Sequence, residues 1–435
     1  MLITEMNVTP IAITDPPLLN AAGLHAPYAL RVIVELVTDD HLYGLGEAPG
    51  GADVASTLEA AREVVLGRDP FHLNALAPAL QKRLGTDEQA ADDAPWTRRM
   101  ANAYSAIEVA CFDLMGKATG RPVVDLLGGQ VRRCTQRERV PFSAYLFYKH
   151  AGAGGALGFN TDPNATGWAA ARQAAALDPD GVVAQAKAMC DAFGFKSIKL
   201  KGGVFEPAIE VKTILALRAA FGPDVPLRID PNAIWSLETA VRWGRELIGQ
   251  VEYYEDPVRG QAAMAALRQA VRIPLATNMC TTSFQDLPGS LRLGSEDIIL
   301  SDHHLWGGLR ASVELGRICR TFGRKLSMHS NSHVGISLAA MTHLAASLPN
   351  LTYACDTHYP WQSEDVVTDV ILGGHLQFED GSLPVPKGPG LGIELDRAAL
   401  AALHENYTRC GLTRRDDEVE MQKVQPGWKF QATRW

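Results

Sequence analysis

Three oxygen-bearing residues close three consecutive strand-like segments: Asp230 ends LRID, Glu255 ends EYYE and Asn278 ends PLATN. Two carboxylates and one amide make an oxygen-only donor set, which suits a hard cation such as Mg²⁺ and leaves positions for water and substrate. Each of the three could instead cap the helix that follows its strand. Upstream, Lys199 and Lys201 stand two apart in SIKLKGG, so on a strand they share a face. Facing inward, beside each other and a metal, both amines would have depressed pKa values, and a neutral amine is a competent general base. Facing outward, they would be two solvated surface charges. Downstream, Asp302 in SDHH and His329 in MHSNSH end two further segments. A carboxylate beside an imidazole orients the ring and raises its pKa, giving a second acid/base group. A lysine on one side, a metal between and a His–Asp pair on the other would permit removal of a proton next to a carboxylate, with the metal stabilising the charge that develops.

The elements that must carry these residues recur regularly. The candidates at positions 230, 255, 278, 302 and 329 are separated by roughly 25 residues, the length of one βα unit with its loops. Short strands alternate with amphipathic helices such as DPDGVVAQAKAMCDAFG and EPAIEVKTILALRAAFG. This rhythm favours a parallel α/β barrel whose active face is formed by the C-terminal ends of the strands. A doubly wound open sheet is the alternative, weakened because no GxGxxG follows the first strand of the region. Ahead of the barrel, IAIT, YALRVIVELVTDD and HLYGLGEAP read as strands, and Ser105 to Lys117 reads as a helix ended by Gly and Pro breakers. The expected division is an α+β domain over residues 1–135, a barrel over 136–390 and a polar C-terminal segment over 391–435 that returns to the first domain.

With 46% hydrophobic and 21% charged residues, the 435-residue chain has the composition of a folded, soluble protein. A formal net charge of -8 argues against a nucleic-acid partner, but not against an anionic small molecule in a locally basic pocket. Cys111, Cys134, Cys190, Cys280, Cys319, Cys355 and Cys410 are dispersed without CxxC spacing, which reads as free thiols rather than a disulfide framework. No apolar run approaches a membrane span, and the N-terminus lacks the apolar block of a signal peptide, so a cytoplasmic enzyme is expected.

The segments KLKGG, RIDPN, YYEDP, LATNM, SDHHLWGG and MHSNSHVGISLAAMTHLA together resemble the glucarate dehydratase group of the enolase superfamily. The resemblance runs from NAAGLHAPYALR to RRDD and PGWKF, essentially the whole chain. It implies a (β/α)7β TIM-like barrel under an α+β N-terminal capping domain that the C-terminal tail completes. It implies Mg²⁺ on Asp230, Glu255 and Asn278, with Lys201 as one base and His329, paired with Asp302, as the other. Lys199 would contact the substrate carboxylate and hold down the pKa of Lys201, and Asn232 would add a polar contact. Ser330, Asn331 and His358 match the substrate-binding stretch, while His25, Ser105, Tyr145 and Arg415 match residues that close over the substrate. Ser105 stands where the group carries Thr, and the loop from His150 to Trp168 has no counterpart in the pattern. The implied reaction is dehydration of a six-carbon acid sugar, D-glucarate or L-idarate, to 5-keto-4-deoxyglucarate. The alternatives are another acid sugar such as galactarate, a racemase or cycloisomerase, and a homologue that binds without catalysis. A homo-oligomer is expected.

Overall fold

The computed structural model describes residues 1–85, 97–130, 138–362 and 369–435, together with the backbone of 132, 133, 135 and 136. Cys134 lies outside the described residues; Cys111, Cys190, Cys280, Cys319 and Cys410 are free thiols. The alternating N-terminal segment folds as a three-stranded antiparallel sheet of β1 (Ile3–Thr14), β2 (Tyr28–Thr38) and β3 (Tyr43–Pro49), with β2 in the middle. Helices α1 (Ala52–Val65), α2 (Leu73–Leu84) and α3 (Arg98–Thr119) follow. Helix α3 lies directly against β3 because that strand offers glycine where they touch. A Cβ at Gly46 would sit 1.9 Å from the Ala106 carbonyl oxygen, so a side chain there would push the helix off the sheet.

Eight parallel strands then form the barrel: β4 (Arg139–Phe147), β5 (Ile198–Lys201), β6 (Leu227–Asp230), β7 (Tyr253–Glu255), β8 (Leu275–Thr277), β9 (Ile298–Ser301), β10 (Lys325–Met328) and β11 (Cys355–Asp356). Each pairs in parallel with its neighbour from β4 to β10, and β11 pairs in parallel with β4. A parallel bridge from Leu326 to Leu351 brings the far side round, so the ring is nearly closed and the open doubly wound sheet is excluded. Seven helices cover it: α4 (Pro179–Phe193), α5 (Pro207–Phe221), α6 (Leu237–Leu247), α7 (Gln261–Ala270), α8 (Leu287–Leu293), α9 (Leu309–Thr321) and α10 (Gly335–Ser347). Their ends follow local chemistry. Asp178 caps α4, with Pro179 at its first turn and Gly194 in the left-handed conformation at its end.

Helix α11 (Arg397–Cys410), capped by Asp396, packs on β1, and α12 (Asp417–Val424) packs on the short hairpin that follows it. Beyond them, Arg434 donates to the carbonyls of Gly203 at 3.2 Å and Ala21 at 2.9 Å, tying capping and barrel loops together. The glycine-rich loop after β4 lies against the end of β1: a Cβ at Gly154, whose φ is +77°, would meet the Asp15 carbonyl oxygen at 1.9 Å. Trp168 ends this loop, donating to the Pro360 carbonyl at 2.8 Å and stacking edge-on against Trp361. Among the described residues, no helix is long and apolar enough to cross a membrane.

Candidate active site

Residues at the ends of the barrel strands converge, and the strand register sets their heights. Phe147 pairs with Lys201 and Lys201 with Asp230, while Ile229 pairs with Tyr254, which brings Glu255 level with Asp230. Lys199 and Lys201 both point inward, 0% and 9% exposed. Lys199 Nζ donates to Glu255 Oε1 at 2.6 Å and Asp356 Oδ2 at 2.7 Å, with Asp230 Oδ2 at 3.7 Å. Lys201 Nζ donates to Asp230 Oδ2 and Asn232 Oδ1, both at 2.7 Å. Asp230 Oδ1 in turn accepts the Asn232 backbone N–H at 2.9 Å.

The helix-capping alternative fails for the three oxygen donors: α6, α7 and α8 start after Ser236, Gly260 and Asp286. Burial costs Glu255 its charge, and Asp230 and Asp356 beside it add to that cost, so its carboxyl sits well above the usual range despite Lys199. Its Oε2 is buried and lacks a hydrogen bond of acceptable geometry, although Lys199 Nζ lies 2.6 Å away. Asn278 is set by its neighbour in the barrel, since Asp256 Oδ2 accepts the Asn278 N–H at 2.7 Å and Asp256 also accepts from the Thr277 hydroxyl. Burial, with the nearby Asp230 charge, pushes the Asp256 carboxyl up to about 7. An oxygen-only set with an unsatisfied buried carboxylate oxygen fits a hard divalent cation.

The expectation of depressed lysine pKa values included a neighbouring metal; with the protein's own groups alone, neither lysine is depressed. Burial opposes their charge, but Asp356 and Glu255 outweigh it for Lys199, and Asp230 outweighs it for Lys201, leaving both above the ordinary value. The mutual repulsion anticipated from their spacing is smaller than the attraction of three buried carboxylates.

His329 lies nearly opposite, at the end of β10, with Nδ1 3.1 Å from Asp302 Oδ2. The other Asp302 oxygen accepts the His304 N–H at 2.8 Å. Burial works against the Asp302 charge, but the hydrogen bond from His329 and the charges of His304 and His303 hold its carboxyl well below the usual range. A folded value below the unfolded one adds stability above the unfolded pKa, and that stability is lost as pH falls through the folded value. Asp302→Asn should therefore flatten the acid limb of the melting temperature between about pH 5 and about pH 2, and a limb as steep as the wild type's would refute the assignment.

The residues expected to close over a substrate form one connected cluster, with one exception. His358 N–H donates to Ser330 Oγ at 3.1 Å, and His358 Nε2 meets Asp15 Oδ1 at 3.2 Å. Asp15 Oδ2 faces His25 Nδ1 at 3.4 Å, and His25 Nε2 lies 3.7 Å from Asp417 Oδ2, which pairs through Oδ1 with Arg415 Nε at 2.7 Å. Phe147 sits among these groups, its ring centre 4.6 Å from Tyr145, 5.4 Å from His358 and 6.0 Å from His25. Lys199 lies over the Tyr145 ring at 4.9 Å, and burial pushes the Tyr145 hydroxyl up to about 12. Asn331 Oδ1 accepts from Arg31 Nη1 at 3.0 Å. Ser105 is the exception. It is fully buried in α3, and among the described residues no hydrogen bond reaches its hydroxyl.

Asp356, Asp15, Asp417, Asp256 and Phe147 belong to the site and were not singled out in the sequence. Asp356 had a signal, since it ends its strand in CDTH as Asp230 does in LRID. A cavity of about 1030 Å³ opens between α2, α3 and the loops after β8 and β9, with Asn278 on its wall.

A family model described as enolase C-terminal domain-like matches residues 181–399. A second, described as the mandelate racemase / muconate lactonizing enzyme N-terminal domain, matches residues 6–128. The chain is 44% identical to a probable glucarate dehydratase of Streptomyces coelicolor, with 98% of this chain and 97% of the relative covered. An enolase from Thermobispora bispora, solved in complex with magnesium and formate, is 49% identical with a TM-score of 0.89 and 99% of both chains covered. An enolase from Pseudomonas fluorescens, solved with bound magnesium, potassium and tartrate, is 45% identical with a TM-score of 0.89, covering 100% of this chain and 99% of the other.

Proposed function

Because the chain belongs to the enolase superfamily and is an acid-sugar dehydratase there, we propose that its substrate is the six-carbon diacid D-glucarate, or its epimer L-idarate, and its product 5-keto-4-deoxyglucarate. The observation that carries this reading is the placement of two acid/base groups, Lys201 and the His329–Asp302 pair, nearly opposite each other across one set of carboxylate ends. A carbon held between them can lose its proton to either side, depending on its configuration.

Asp230, Glu255 and Asn278 would hold a Mg²⁺, which would supply positive charge opposite a substrate carboxylate and, by offsetting the Asp230 and Glu255 charges, would favour a neutral Lys201 amine. Lys199 brings a second positive charge to that carboxylate. Lys201 takes the proton next to it from one epimer and His329 takes it from the other. Asp302 fixes the His329 ring through Nδ1, leaving Nε2 as the nitrogen turned to the substrate. His329, carrying the proton it has just taken or, when Lys201 is the base, one already taken from solvent, gives that proton to the hydroxyl as water leaves, and the enol tautomerises to the ketone. His25, Tyr145, His358 and Arg415 close over the distal half of the molecule. The tartrate held by the Pseudomonas fluorescens enolase is a shorter hydroxy-diacid, in keeping with a substrate carrying a carboxylate at each end.

The test is keto-acid formation from a panel of acid sugars after treatment with EDTA, with and without added Mg²⁺. Turnover of D-glucarate and L-idarate that disappears with EDTA and returns with Mg²⁺ is expected. Turnover of galactarate alone would remove the substrate assignment and keep the chemistry; turnover without any divalent ion would remove the metal.

A further inference from the structure

Arg31 on β2 and Glu47 on β3 lie on the same face of the capping sheet and are each 1% exposed. Burying an ion pair is costly unless every polar atom finds a partner, and here the partners are supplied by the barrel. Glu47 Oε1 accepts from Arg31 Nε at 2.6 Å and from the Val334 N–H at 3.0 Å, while Oε2 accepts the Ser337 N–H at 2.8 Å. These amides open helix α10, whose own flanking residue Val334 has no side chain able to cap them. A carboxylate from the capping sheet thus does the work a local Ser or Asp would do.

The remaining Arg31 donors reach three places, the loop that carries His329, the segment after β9 and Ser337 in α10, whose Oγ accepts from Nη2 at 3.4 Å. Nη1 donates to Asn331 Oδ1 at 3.0 Å, and Nη2 lies 3.2 Å from His304 Nε2. Asn331 is two residues from His329. His304 is the residue whose N–H holds Asp302 Oδ1, and Asp302 Oδ2 holds His329. Two routes therefore run from Arg31 to the His329 ring. Neither runs to Lys201, whose hydrogen bonds go to Asp230 and Asn232.

We infer that the buried Arg31–Glu47 pair is a positioning device for His329, setting the geometry of proton transfer on that face of the substrate and not on the Lys201 face. The inference rests on the two-base reading above. A pair that merely glued the capping sheet to the barrel would, when weakened, impair both faces alike.

The experiment measures deuterium uptake from D₂O at the carbon next to the carboxylate, with Mg²⁺, for D-glucarate and L-idarate separately. The epimer that still exchanges in Lys201→Ala identifies the His329 substrate. Arg31→Lys keeps a charge but loses the planar fork of donors, and Glu47→Gln keeps the shape and loses the charge. Both are expected to slow exchange of the His329 epimer about tenfold to a hundredfold, the scale of a displaced catalytic group, and that of the other epimer by less than about threefold. Equal slowing of both epimers, or slowing of neither, overturns the inference. Should one variant not fold, the other carries the same test. The ¹⁵N resonances of the His329 ring, recorded without substrate, give a second readout. They should move in the variants, and unchanged resonances count against positioning. If the wild type exchanges neither epimer, the two-base reading has failed, and the ring resonances alone then decide whether Arg31 positions His329.

Discussion

Lys201→Ala should lower kcat for one epimer by about 10²–10⁴, the usual contribution of a positioned general base, while leaving proton exchange of the other epimer measurable. The asymmetry is the informative part. The two acid/base groups have separate supports: Lys201 is held by Asp230 and Asn232, and His329 by Asp302. Removing the lysine leaves the His329 side intact. It also leaves Asp230 with Lys199 at 3.7 Å as its nearest cation, so the carboxylate cluster keeps a compensating charge and the fold should survive. Rates with each epimer, and the position of deuterium in recovered substrate, check this. Equal loss for both epimers would mean that Lys201 binds or orients the substrate rather than taking its proton.

Asp356→Ala should cost about 3–5 kcal/mol of folding stability, the range for removing one partner of a buried ion pair. Asp356 is fully buried and serves two cations: Oδ2 accepts from Lys199 at 2.7 Å and Oδ1 from Arg228 Nη1 at 3.1 Å, with the Ser143 hydroxyl also at 3.1 Å. Both cations have other partners, Glu255 for Lys199 and Glu252 for Arg228. Even so, the variant takes one buried acceptor from each of Lys199 and Arg228 and puts no other acceptor in its place. Urea midpoints of wild type and variant measure the difference, and a shift below about 1 kcal/mol, the scale of an exposed pair, would show that water reaches the site. Asp356→Asn should fall between, because the amide oxygen still accepts one hydrogen bond.

The parts of this molecule that were legible in the sequence are those written locally. Strand-end residues at βα spacing gave the barrel, because each parallel strand must be followed by a helix that carries the chain back to start the next one. Two of the barrel helices named above carry side-chain caps of their own, Asp178 on α4 and Ser236 on α6. The His329–Asp302 pair was legible for the same reason, each residue being the last polar group of its strand. What was not legible depends on distant partners. Asp15 meets His358 across 343 positions, and Arg31 meets Asn331 across 300. No pattern of neighbours announces such contacts. The charges around the lysines were hidden in the same way: two residues apart predicts repulsion, but among the protein's own groups the dominant charges are Asp230, Glu255 and Asp356 on other strands. Ser105 was placed by resemblance alone, and among the described residues no hydrogen bond reaches its buried hydroxyl.

The packing of helix α11 on β1 has a consequence for how the chain is made. Strand β1 meets α1 soon after it is made, but α11, which packs on it more extensively, follows almost 400 residues later. The barrel between them is built from neighbour-to-neighbour pairings, which close short loops and form early, whereas the outer ends of the capping domain must wait for an encounter across nearly the whole chain. During synthesis the nascent chain should therefore pass through a state with a formed barrel and an unfinished cap, its apolar first strand exposed to chaperones or to other copies.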